Sequence, residues 1–112
     1  MSVLRVYGVE FNDAHIMPAF EQIIEFGTFE FYILRSLFAR RHKSNIEDFL
    51  DAHPQTNAKG DEVDVYQVLD RLTDRALQLY KKLGHIKHIG NGQWIVTKQF
   101  VQTCNLTHGR EP

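Results

Sequence analysis

Residues 79–97, LYKKLGHIKHIGNGQWIVT, decide the fold because the hydrophobic period changes at Gly84. Upstream, Val65, Leu69, Leu72, Ala76, Leu79 and Leu83 follow one another at spacings of four and three. That is one apolar stripe along a long helix, widened by Val68, Leu77 and Tyr80. Gly84 is a natural helix stop, and Ile86 behind it offers an apolar contact back onto the last turn. Downstream the period is two. Ile86 and His88 point one way, and His85, Lys87 and Ile89 the other. Gly90-Asn91-Gly92 supplies the positive φ angles of a tight turn, and Trp94 and Val96 alternate after it. The stretch therefore predicts a helix followed by a β-hairpin.

Working outward, residues 98–106, KQFVQTCNL, predict a last helical turn or two, and residues 107–112 a frayed end. Towards the N-terminus, residues 54–62, PQTNAKGDE, are polar and carry Pro, Asn and Gly, so they form a loop. Ser44-Asn45-Ile46-Glu47 is a capping-box pattern and predicts a separate short helix ending at Pro54. Thr28 is the expected N-cap of the helix before it, with Phe29, Tyr32, Ile33 and Leu37 at helical spacing. In residues 17–27, MPAFEQIIEFG, Pro18 suits a first helical turn and Gly27 a stop. Residues 3–9, VLRVYGV, read as a short strand or arm, and residues 11–13 as a turn.

The length of 112 residues suits one domain. Its expected parts are an N-terminal arm and helix over 1–27, a core over 28–104 and a flexible tail over 105–112. Apolar residues at 43% and charged residues at 24% suit a globular chain that needs no metal or disulfide to fold. The single cysteine, Cys104, cannot close an intrachain disulfide, and no long apolar window is present, so a cytoplasmic protein off the membrane is expected. Thirteen Lys and Arg against fourteen Asp and Glu give a net charge of −1. A nucleic-acid partner then requires the basic groups to collect on one face.

From residue 28 to about residue 100 the chain resembles a winged helix-turn-helix DNA-binding domain. The resemblance is carried by Leu83, Gly84 and Ile86, by the turn at residues 90–92, and by Trp94 and Thr97 in the strand that follows. It implies a mainly α fold with a C-terminal β-hairpin, within the α+β class. It also implies a DNA-binding transcriptional regulator or accessory factor without a cofactor. The loop over 54–62 departs from that pattern, since the usual link between the last two helices is three or four residues. So does the acidic start of the long helix, GDEVD, which faces phosphates unfavourably.

With double-stranded DNA as partner, the expected contacts are Arg71, Arg75, Gln78, Lys81 and Lys82 on the long helix. Arg and Gln pair with base edges and Lys with phosphates. Lys87 and Asn91 would serve on the wing, with Arg40, Arg41 and Lys43 as further phosphate contacts. The plainer readings are a solvated helix face with i, i+4 ion pairs, and cations offsetting a helix dipole. Phe26, Phe29 and Tyr32 are the expected interface of a homodimer, because the aromatic residues around them cannot share one helix face. The competing function is a protein-interaction module that binds no nucleic acid. No nucleophile elbow, Gly-rich phosphate loop or Cys/His cluster argues for an enzyme or a metal site. His85 and His88, three apart on a strand, diverge and make a poor metal pair.

Overall fold

The computed structural model describes residues 3–107 as an α+β fold of two small antiparallel sheets and four helices. β1 (Val3–Val6) and β2 (Val9–Asn12) form an N-terminal hairpin, followed by α1 (Asp13–Ile23), a 3-10 turn (Ile24–Phe26) and β3 (Thr28–Glu30). Then come α2 (Phe31–Ala52), α3 (Val65–Lys82), β4 (Ile86–Gly90), β5 (Gln93–Val96) and α4 (Lys98–Thr107). The second sheet has the order β3-β5-β4.

The centre of the core is Phe20. Its ring stacks on Tyr80 at 4.1 Å between centroids and meets Phe29, Phe38 and Phe100 edge-on at 6.3–6.5 Å. Five elements therefore close on one side chain, which is fully buried. α3 supplies most of the apolar stripe the spacing predicts, with Val65, Val68, Leu69, Leu72, Ala76, Leu77 and Tyr80 all buried, while Leu79 is half-buried and Leu83, just past the helix end, is exposed. Thr73 is buried with them, its hydroxyl satisfied by donating to the Leu69 carbonyl at 2.7 Å.

Five local expectations are corrected. Thr28 does not cap a helix: residues 28–30 pair with β5 in the register Thr28↔Ile95, Phe29↔Trp94, Glu30↔Gln93. A strand this short cannot show a period of its own next to a long helical pattern. The capping-box pattern at Ser44 is unused, and α2 runs unbroken from residue 31 to 52. Continuing the helix buries Ile46 and packs Leu50 against the core, which outweighs a local cap. α1 begins at Asp13, five residues before Pro18, because Asn12 and His15 form a reciprocal capping box. The N-terminal arm is a hairpin turning at Tyr7 and Gly8, both at positive φ (48° and 85°). α4 reaches Thr107, so residues 105–107 of the expected tail are helical, while 108–112 lie outside the described residues.

The helix stop at Gly84 and the hairpin after it stand as expected. Gly84 has φ +83°; its N–H donates to the Lys81 carbonyl and the His85 N–H to the Tyr80 carbonyl. These are the two bonds of a Schellman cap. The hairpin tip has positive φ at Gly90, Asn91 and Gly92, with a bulge between His88 and Gly90.

Candidate functional site

The last turn of α3 and the β4–β5 hairpin form one mechanical unit, and Thr97 ties it. Its hydroxyl donates towards the carbonyls of Gly84 (2.7 Å) and His85 (3.1 Å), and its N–H donates to the His85 carbonyl at 2.9 Å. The same hydroxyl accepts the Phe100 N–H and so caps α4. Gln99 Nε2 adds a bond to the Leu83 carbonyl at 3.2 Å. The end of α3, the base of the hairpin and the start of α4 are thus held by four backbone and side-chain groups within a few ångströms.

That unit presents Gln78, Lys81 and Lys82 on α3, Lys87 on β4 and Asn91 at the hairpin tip, all exposed. No ion pair among the described residues engages Lys81, Lys82 or Lys87. These three ammonium groups are therefore exposed and unpaired among the described residues. Lys87 stands on the sheet face opposite Ile86 and His88, opposite Ile95 in the register. His88 instead lies against Trp94, with 4.8 Å between ring centroids.

Arg71 and Arg75 are exposed but engaged elsewhere. Arg71 Nη2 donates to the Tyr7 hydroxyl at 3.4 Å, with its guanidinium carbon 5.5 Å from the Tyr7 ring centroid. Arg75 Nη1 donates to the Arg5 carbonyl at 3.1 Å. The N-terminal hairpin thus lies along one flank of α3 and holds the two arginines. A shallow cleft of about 270 Å³ opens beside them, lined by Tyr7, Gln67, Asp70, Arg71 and Asp74. The ion pairing expected of these acids with the helix arginines is not seen among the described residues: Asp70 instead pairs with Arg35 of α2.

The three α2 cations do not all share one side of the helix. Lys43 faces α3, where its ammonium donates to the Tyr66 hydroxyl at 3.2 Å, and that bond raises the lysine above its usual range. Arg40 and Arg41 are exposed. Arg41 lies two residues from Lys43, about 200° around the helix, and so points away from α3. Of the aromatic residues expected at a dimer interface, Phe29 is corrected. It is 3% exposed and packs inside its own chain against Phe20. Its neighbours Phe26 (53%) and Tyr32 (59%) are exposed.

At the other end of α3 the surface is acidic. A cleft of about 450 Å³ is lined by Glu47, Asp48, Asp51, Glu62 and Asp64 with Leu50, Val63 and Val65. Asp64 is the N-cap of α3, accepting the Gln67 N–H at 2.9 Å, so part of this acid is structural. Among the described residues no group of three or more His, Cys, Asp or Glu is placed to hold a metal ion. Cys104 is buried, and burial pushes its thiol up to about 11. No helix among the described residues is long and apolar enough to cross a membrane.

Reading the sequence missed Tyr7, Arg5 and Arg35 as neighbours of the α3 face, and Tyr66 as the α3 residue that meets Lys43. Their partners are 23 to 70 residues away in the chain, and no local pattern announces them. Comparisons with family models, curated proteins and solved structures find no match for this chain.

Proposed function

We propose that the chain is a winged helix protein that binds double-stranded DNA as a transcriptional regulator or accessory factor. The observation that carries this reading is the unit closed by Thr97. It holds Gln78, Lys81, Lys82, Lys87 and Asn91 in fixed relation at one end of α3, with the lysines unpaired among the described residues. Lysines so placed neutralise phosphates, and the exposed amides of Gln78 and Asn91 suit base edges or backbone. The acidic cleft at the start of α3 lies at the far end of the helix, so the contact of Lys81, Lys82 and Lys87 is made by its C-terminal half and the hairpin. Arg71 and Arg75 flank that contact from positions set by the N-terminal hairpin.

Fluorescence anisotropy with mixed-sequence duplex DNA tests the proposal. Binding at low salt is expected to weaken steeply as salt rises. Lys82→Glu and Lys87→Glu are expected to abolish it, and they are cleaner probes than Arg75→Glu, which also breaks the bond to the Arg5 carbonyl. No binding at low salt would sink the reading.

A second reading, a protein-interaction module without nucleic acid, is favoured by the acidic cleft at Glu47, Asp51 and Glu62. It predicts no DNA binding together with retention of a basic partner. In either reading we propose a homodimer through Phe26 and Tyr32, with Phe29 excluded because it is committed to the core. Light scattering after size exclusion checks this, and a monomer at high concentration removes it.

A further inference from the structure

At the start of α3, Tyr66 is 49% exposed and stands between two cations of α2. The Lys43 ammonium lies 5.2 Å from its ring centroid and 3.2 Å from its hydroxyl oxygen. The Arg35 guanidinium carbon lies 5.7 Å from the same centroid. Arg35 uses its Nε on Asp70, and no bond among the described residues takes its Nη1 or Nη2. Because Tyr66 accepts from Lys43, its own hydroxyl proton is left to donate outward. An ammonium, a phenol and a guanidinium fork therefore border one exposed ring.

We propose that Arg35, Lys43 and Tyr66 form a phosphodiester-binding site, a second backbone contact of the same DNA that Lys81, Lys82 and Lys87 hold. The donor set is the one that grips a phosphate: a charged fork, a charged point and a neutral hydroxyl. Placement on the helix agrees. Tyr66 and Lys81 are fifteen residues apart, which returns Lys81 to within about 60° of Tyr66 around the axis and about 22 Å along it. Lys81 and Tyr66 so share one side of the helix, whereas Asp64, at the acidic cleft, lies about 160° away from Tyr66. The separation of Lys81 and Tyr66 exceeds the roughly 12 Å width of the major groove, so α3 lies along the groove and touches the backbone at both ends. Asp74 stands between them on that side, where a carboxylate accepts from a cytosine amino group, while Asp70 is taken by Arg35.

This proposal rests on the DNA reading, and the salt dependence of affinity separates the two. Each phosphate contact adds about 0.9 to the slope of log K against log salt. Lys43→Gln and Arg35→Gln are each expected to lower the slope by about that much, equally on all duplex sequences. Tyr66→Phe is expected to weaken binding severalfold with the slope unchanged, since it removes a donor and no charge. Lys98→Gln, on the exposed face of α4, should leave the slope alone. Duplex binding by the wild type with unchanged slopes in both charge variants overturns the second contact only. Absence of any duplex binding by the wild type overturns it together with the reading beneath it.

Discussion

Arg71 on α3 places its Nη2 3.4 Å from the hydroxyl of Tyr7, sixty-four residues earlier in the chain. The contact is the visible part of a larger one. Val6, next to Tyr7, is 1% exposed and belongs to the core, so the N-terminal hairpin is built into the body of the fold. The hairpin fixes one flank of α3 and leaves the C-terminal lysines open.

A double-mutant cycle measures this link. Tyr7→Ala, Arg71→Ala and the pair together are expected to give a coupling energy of about 0.5–1 kcal/mol in urea denaturation. A coupling indistinguishable from zero would show that the two side chains are neighbours without interacting.

Phe20 is the most consequential single core position, because it contacts rings from four other elements. Phe20→Ala is expected to cost about 3–5 kcal/mol and Phe20→Leu clearly less, read from denaturant midpoints. A loss under about 1 kcal/mol for the alanine variant would contradict the packing described.

At the start of α1, His15 takes the place that Glu or Gln holds in an ordinary capping box. Its Nδ1 accepts the Asn12 N–H at 3.0 Å while Asn12 Oδ1 accepts the His15 N–H at 3.3 Å. Asn12→Ala should cost about 1 kcal/mol. His15→Gln should be milder than His15→Ala, since glutamine can restore the bond. Equal losses would assign the role of His15 to its ring contacts with Phe11 and His42 instead.

Gly84 isolates backbone strain from crowding. A methyl group there would meet Gln99 Oε1 at 2.9 Å, but that is the end of a flexible side chain, whereas φ is +83°. Gly84→Ala is expected to destabilise by about 1 kcal/mol or more through the backbone. Adding Gln99→Ala should recover little of it. Full recovery in the double variant would make the cause a clash.

Acid should weaken the fold through two histidines. Burial lowers the pKa of His42 and of His85 below the usual 6.5; a bond to the His15 carbonyl opposes the shift at His42, and His15 and Arg41 add to it. The unfolded chain then binds protons more readily than the folded one. The stability these groups contribute is present above about pH 6.5 and is lost as pH falls through their folded values. The melting temperature is expected to be level from pH 7 to 8 and to fall below pH 6.5, less steeply in His42→Gln. A melting temperature that rises on acidification would reverse the sign.

Local reading succeeded where one element signals itself over many residues. The α3 stripe, the Gly84 stop and the turn at 90–92 rest on period and on glycine φ, both of which are properties of the nearby chain. It failed at Thr28 and Ser44. There a strand three residues long and an unused cap are settled by partners elsewhere, Trp94 and its strand in one case and the buried ring of contacts around Ile46 in the other. For the candidate site, exposure of Gln78, Lys81, Lys82, Lys87 and Asn91 followed from their place off the apolar stripe and on the hairpin.

By itself, then, the sequence determined a long amphipathic helix ending in a capped stop and a tight hairpin, because hydrophobic period and allowed φ angles act over a few residues. Tertiary structure alone decided which cations remain open. Arg71 and Arg75 are held by an N-terminal hairpin, Arg35 by Asp70 through its Nε alone and Lys43 by Tyr66 through one bond, while Lys81, Lys82 and Lys87 form no ion pair among the described residues. A charge finds its partner through space, over chain separations of 23 to 70 residues that carry no local pattern.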